Sequence, residues 1–272
     1  MTGILPMPEL TIIHIFSASY SGSTWLNLML GSHPDAFSVG EVKTILKIGS
    51  PVCTLHGGTC AIWRPDGVDG AESFYAHLAA KSGKRIFIVN NSRKWFAHED
   101  APGIRGACIH LVRDGRAVVA SRMRKGVDRS FIASCRRWKS EVRRCRRVVR
   151  RRGAGFTVRY EDLIEATGDT LSRVCRQVGI EYHPAMLEFW KPDHCFLGGN
   201  RGTLHSMLRL NGRRLPEDPE RMIRKEPGWD MGFYDRVDPT HFRDERWREE
   251  LTPRQLWGFS ILAGRFNRKL GY

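Results

Sequence analysis

Two groups of residues in this chain have the types and spacing to hold an anion. The first is Ser17-Ala-Ser-Tyr-Ser-Gly-Ser-Thr24, small and hydroxyl-rich, set between the β-branched run Thr11-Ile-Ile-His-Ile-Phe16 and the helix formers Trp25-Leu-Asn-Leu-Met-Leu30. A strand that turns this tightly into a helix leaves main-chain N–H groups unpaired at the helix start, where phosphates bind. Gly22 lets the backbone come close to such a group, and Ser21, Ser23 and Thr24 add hydroxyl donors. The second group is Arg113 and Ser121, eight residues apart. A guanidinium at a strand end and a hydroxyl a little over two turns into the next helix can converge on one phosphate. Each group has a plain alternative when read alone: a turn rich in small residues, and a helix with exposed arginines capped by Asp114.

Other chemistry is indicated less sharply. Glu41 follows Gly40 and returns a carboxylate toward the first loop. Asn90-Asn-Ser-Arg-Lys94 forms a polar, cationic cluster after a predicted strand, where open α/β sheets hold their ligands. His194-Cys-Phe-Leu-Gly-Gly-Asn-Arg-Gly202 is glycine-rich with cationic neighbours, suited to close approach of a nucleotide. Cys53, His56 and Cys60 could be three of four zinc ligands, or the two cysteines could pair. No fourth ligand is evident, so an ordinary loop without metal is the expectation. The first loop has no lysine of the Gly-x-x-x-x-Gly-Lys-Ser/Thr type, which argues against Mg²⁺-dependent kinase or ATPase chemistry.

The elements that must position these residues alternate. Strands are predicted over residues 11–16, 85–89, 107–112 and 155–159, with helices over 72–81, after Arg113, over 131–149 and from Tyr160 onward. Such alternation predicts an α/β fold, a single domain whose mainly parallel sheet carries helices on both faces. In residues 131–149, Phe131, Cys135, Trp138, Val142, Cys145 and Val149 make a helical stripe opposite a face dense in arginine. Residues 42–70 read as an irregular excursion. Residues 252–270 read as a final helix with Trp257, Ile261 and Phe266 on its apolar side. No linker marks a second domain within residues 1–272.

With 272 residues and 41% hydrophobic content, the chain can bury a full core. A net charge of +15 points to an anionic ligand or partner without naming it. Met1 to Leu10 does not read as a secretory signal, no apolar run reaches the length of a membrane span, and seven scattered cysteines are expected to be reduced thiols in a cytoplasm.

Taken together, the two anion-binding groups and the carboxylate between them resemble the sulfotransferases that use 3′-phosphoadenosine 5′-phosphosulfate (PAPS), in particular their bacterial-type branch. Ser19-Tyr-Ser-Gly-Ser-Thr-Trp-Leu26, with Gly-Ser-His-Pro34 and Gly40-Glu41, looks like that family's 5′-phosphosulfate loop, about residues 17–41. Leu111-Val-Arg-Asp-Gly-Arg-Ala-Val-Val-Ala-Ser121 looks like its 3′-phosphate motif, about 111–122. Val89-Asn-Asn-Ser-Arg93, Arg159-Tyr-Glu-Asp-Leu163 and Gly198-Gly-Asn200 extend the likeness over most of the chain.

The resemblance implies a P-loop-like fold and sulfuryl transfer from PAPS to a hydroxyl or amine, leaving 3′,5′-adenosine bisphosphate (PAP) without a metal. It implies Tyr20, Ser21, Gly22, Ser23, Thr24, Trp25, Arg113, Ser121, Gly198, Gly199 and Asn200 as the donor site. Glu41 is implied as the base, with His56, His98 or His110 as alternatives and simple pairing with Lys43 or Arg93 as the plain reading. Family members often carry Lys or Arg where this chain has Tyr20, so the cation on the leaving group is expected from Arg93 or Lys94. The acceptor is expected to be a carbohydrate, lipid or other small molecule rather than a nucleic acid, bounded by variable loops at about 42–70 and 195–235. A basic nucleic-acid- or polyanion-binding protein on the same scaffold is the competing reading, prompted by the charge and the arginine helix. Neither the acceptor nor the oligomeric state is legible.

Overall fold

The computed structural model describes residues 9–42, 52–58, 60–63, 71–90, 103–153, 156–216 and 231–272. Arg93, Lys94 and His98 lie outside the described residues, as do Lys43 and parts of both variable loops. The first strand, β1 (Leu10–Ser17), is buried along its whole length. Its unbroken apolar run suits a central parallel strand covered on both faces. It pairs in parallel with β3 (Ile86–Asn90) on one side and with β4 (Ile104–Val112) on the other, with Thr11 opposite Ile86 and Ser17 opposite Leu111. β2 (Ala36–Gly40) and β5 (Phe156–Arg159) close the edges, giving one five-stranded parallel sheet in the order β2-β3-β1-β4-β5. The chain winds outward from β1 in both directions. A crevice therefore opens at the carboxyl end of β1, between the loops that follow β1 and β4.

Helices flank the sheet. α1 (Ser23–Leu30) buries every residue from Thr24 onward and packs on β1, β2 and β3. Its Asn27 amide donates to Ile88 O at 3.0 Å and Asn90 Oδ1 at 3.1 Å, fastening α1 to the end of β3. α2 (Ala71–Ser82) follows, then α3 (Gly115–Arg124) after β4. Asp114 caps α3 by accepting from the Arg116 N–H. α4 (Phe131–Arg151) packs against α3 and the sheet through Cys135, Trp138, Val142, Cys145 and Val149, as the stripe requires, while Arg136, Arg143, Arg144, Arg147, Arg150 and Arg151 stay exposed. Gly115 lets the helices approach this closely, since a Cβ there would sit 2.4 Å from the Trp138 ring. α5 (Tyr160–Glu165), α6 (Thr167–Val178), α7 (Arg201–Leu210) and α8 (Met231–Arg236) complete the layer that borders the crevice and the far sheet edge.

Three features differ from the sequence reading. β2 was not anticipated, because Ala-Phe-Ser-Val-Gly offers neither a long apolar run nor a clean alternation. β4 begins at Ile104, ahead of the apolar run at 107–112. The last helix is interrupted: Pro253–Phe259 runs into a π-helical turn, Ser260–Gly264, before Arg265–Arg268. Its buried side is set by Trp138, which receives Phe259 and Phe266. Trp257 and Ile261 face solvent at 71% and 64% exposure, correcting the apolar side expected for them.

Candidate functional site

The loop after β1 enters α1 through two left-handed residues, Tyr20 (φ 69°) and Gly22 (φ 89°). Gly22 is required twice over, because its φ disfavours a side chain and a Cβ would lie 2.3 Å from the Tyr160 ring. The helix begins at Ser23 without a side-chain cap, and its first intrahelical donor is Leu26 N, to Gly22 O. The N–H groups of residues 23–25 precede that bond and form the anion-attracting end of α1.

Arg113 leaves the end of β4 toward this loop. It is buried, donating from Nη1 to Tyr20 O at 3.2 Å and from Nη2 to Asp244 O at 2.8 Å, with Tyr160 4.6 Å beneath its guanidinium. Burial disfavours its charge, but Tyr160, Asp244 and Glu161 more than restore it, holding the guanidinium above its ordinary value. Two turns along α3, Ser121 accepts from Arg124 Nη2 at 3.2 Å. Arg124 and Arg113 each lie 3.7 Å from Asp244 Oδ2, so the Arg113 and Ser121 ends of the motif meet at one carboxylate. Burial would raise the Asp244 carboxyl, yet Arg246, Arg113 and Arg124 hold it down at about 2.

These groups share one cavity of about 530 Å³ at the carboxyl end of the sheet. Tyr20, Gly22, Ser23, Thr24, Trp25, Glu41, Arg113, Ser121, Gly199 and Asn200, all named from sequence, line it together. Ser21 is buried behind the loop, and Gly198 stands beside Glu41. The glycine-rich segment closes one wall: Asn200 N donates to Thr24 Oγ1 at 2.9 Å, and Asn200 Oδ1 caps α7 through Thr203 N. Leu197 pairs with the end of β2, accepting from Glu41 N at 2.7 Å. Glu41 is thereby set on the same wall as the glycines.

In backbone, the chain follows the sulfotransferase domain of the Synechococcus PCC 7002 olefin synthase with a TM-score of 0.56 at 20% identity, covering 100% of this chain and 98% of that one. The chain has the sulfotransferase fold. The sulfotransferase domain of the curacin biosynthetic pathway matches at 17% identity and TM-score 0.53 over 96% of this chain and 98% of its own. A mouse sulfotransferase complexed with PAP matches at 15% and 0.53 over 98% and 90%. No protein-family model and no curated protein matches the chain.

Within this sulfotransferase fold, the two described histidines weighed as a base do not line the cavity. His110 is buried on β4, facing Thr157 and Arg146 in a separate cavity, and burial followed by the nearby Arg146 charge pushes its imidazole down to about 4. His56 sits among cysteines: Cys53, His56, Cys60 and, unforeseen from spacing, Cys195 gather their ligand atoms within 4.8 Å of one another. Several cavity residues escaped the sequence reading. Arg124 and Lys125 had a signal, since they follow Ser121 by three and four positions on one helix face. Tyr160 had a weaker one, as the first residue after β5. Tyr234, Phe242 and Asp244 come from a stretch without periodicity and had none.

Proposed function

We propose that the chain transfers a sulfuryl group from PAPS to a hydroxyl or amine of an acceptor by in-line displacement. The observation that carries this reading is the meeting of Ser23, Thr24, Arg113 and Ser121 on one cavity. PAPS bears anionic groups at both ends of its ribose, so a protein reading it needs two anion sites a nucleoside apart. The start of α1 would hold the 5′-phosphosulfate. Arg113, Ser121 and Arg124 would hold the 3′-phosphate, with Trp25, Phe233, Tyr234 and Phe242 offering aromatic walls to the base.

In the transfer, the acceptor oxygen or nitrogen attacks sulfur as the bond from sulfur to the bridging phosphate oxygen breaks. The acceptor's proton passes to Glu41, and PAP leaves with the electron pair of the broken bond. Tyr20 cannot neutralise that leaving charge. Lys125 supports the role instead, because its Nζ lies 5.0 Å over the Tyr20 ring and its side chain lines the cavity. Lys125, at the C-cap of α3, is thus a further candidate beside Arg93 and Lys94, which lie outside the described residues. No metal enters the transfer. The cavity's cationic lining favours an acceptor that is itself anionic, such as an acidic glycan or lipid, met in the cytoplasm.

Calorimetric titration with PAP in the absence of Mg²⁺ tests the reading. Saturable one-to-one binding is expected, falling about 10- to 100-fold in Arg113→Ala and for 5′-AMP, which lacks the 3′-phosphate. The exposed arginines of α4 lie outside the cavity. If PAP fails to bind while DNA or heparin binds with a steep salt slope through that face, the polyanion-binding reading replaces this one.

A further inference from the structure

We infer that Cys53, His56, Cys60 and Cys195 form a structural Zn²⁺ site. The four donors come from two segments far apart in sequence, 53–60 and 193–200, and they converge behind the wall that carries Glu41. Cys60 Sγ lies 3.3 Å from Cys195 Sγ. Cys53 Sγ and Cys195 Sγ lie 3.5 and 3.7 Å from the same nitrogen, His56 Nδ1. A tetrahedral zinc with Zn–S of about 2.3 Å and Zn–N of about 2.0 Å has edges of roughly 3.5–3.8 Å. Three of the cluster's six donor–donor distances are therefore close to the edges of the coordination polyhedron, and all four donors lie within 4.8 Å of one another. Three thiolates and one imidazole are soft enough to select zinc over magnesium or calcium, and four protein ligands leave no position open for substrate or water. A closed site of this kind shapes the fold and takes no part in the chemistry.

Two further arrangements point to a metal. His56 Nε2, on the far side of the ring, meets Asp193 Oδ1 at 3.0 Å, and Asp193 is itself held by Arg213 at 2.7 Å. A carboxylate behind a ligating imidazole fixes the tautomer that turns Nδ1 to the metal. Main-chain N–H groups of Leu55, His56 and Phe196 are directed at the Cys53 sulfur, and those of Ile62 and Trp63 at the Cys60 sulfur. Such donors satisfy metal-bound thiolates. Cys53 and Gly57 also form an antiparallel bridge, the tight turn that aims Cys53 and His56 at one point.

Binding Zn²⁺ displaces the three thiol protons and leaves a centre of charge −1. It joins segment 53–60 to the loop whose Leu197 carbonyl holds Glu41 N, a link also made by Thr54, which bonds Phe196 O and Gly198 O. The site thus fastens the carboxylate wall of the cavity without touching it.

The test is metal analysis of the full chain purified without chelator, then cobalt substitution of the stripped, reduced protein. One zinc per chain is expected, and Co²⁺ should give the intense d–d bands and thiolate charge transfer of a tetrahedral centre with three sulfurs. Asp193→Asn, which removes no ligand, should weaken metal binding about 10- to 100-fold. Cys195→Ser should lower the thiolate charge-transfer intensity by about a third, as one of three sulfurs is lost. Octahedral cobalt in the wild-type chain, or thiolate charge-transfer intensity unchanged in Cys195→Ser, would overturn the inference. So would alkylation and mass analysis showing a native disulfide between Cys60 and Cys195. None of these readouts depends on sulfuryl transfer, so the site and the proposed reaction stand or fall separately.

Discussion

Asp244 puts a carboxylate between Arg113 and Arg124, where an arriving phosphate would bring its own negative charge. Because Arg246, together with those two arginines, keeps it ionised down to about pH 2 against its burial, it would oppose such an anion at every working pH. Asp244→Asn keeps the shape and removes the charge. PAP affinity in that variant is expected to rise about tenfold, or about 1.4 kcal/mol, by calorimetry at low salt. At this scale the sequence was informative wherever a residue's role depended on near neighbours. The turn at 19–24 could be read because strand, hydroxyls, glycine and helix formers are contiguous. Arg113 and Ser121 could be read because helical geometry converts a spacing of eight into proximity. Asp244 and Cys195 could not, since each acquires its role from contacts more than a hundred positions away in the chain.

At the scale of elements, the loop between β1 and α1 rests on a buried ionic frame. Arg122, fully buried on α3, donates to Asp128 at 2.6 Å and to Glu141 of α4 at 3.1 Å; Arg137 meets both carboxylates from the other side. Glu141 Oε2 also accepts from Ser19 N at 3.2 Å, so the frame holds the first residues of the loop as well as two helices. Removing the Glu141 charge leaves buried Arg122 with Asp128 as its remaining acidic partner. Glu141→Gln is expected to cost about 1.5–3 kcal/mol in urea unfolding, with PAP binding weakened in what remains folded. The stripe on α4 was visible because 3.6-residue periodicity survives over 21 residues. β2 was not visible: it is a five-residue edge strand whose glycine and serine serve close packing, with Ser38 bonding Asn27 O at 3.2 Å. The face of the final helix was misread because the partner that selects it, Trp138, belongs to α4.

For the molecule as a whole, two buried imidazoles set a dependence on acid. Burial pushes both His110 and His194 down to about 4, the latter despite its bond to Phe189 O. An unfolded chain protonates these groups near 6.5, so between pH 6.5 and 4 the unfolded state holds more protons. Stability should therefore fall as pH drops through that window, by on the order of 3 kcal/mol per imidazole at most. Urea titrations at a series of pH values would show the slope, and His194→Gln should flatten part of it. Among the described residues no helix is long and apolar enough to cross a membrane. The parallel sheet could be expected in outline from alternating strands and helices, whereas the cavity's closing side, built by Phe233, Tyr234, Phe242 and Asp244, depends on packing that no local pattern encodes. Tyr20 adds a tension between endurance and work. A tyrosine at φ 69° sits where its Cβ crowds the backbone, at a cost of about 1–2 kcal/mol that glycine or asparagine would largely avoid. Yet its ring is what Lys125 lies against. A population of variants sorted only for survival on heating would drift toward glycine at position 20, and would lose the seat of that lysine in the process.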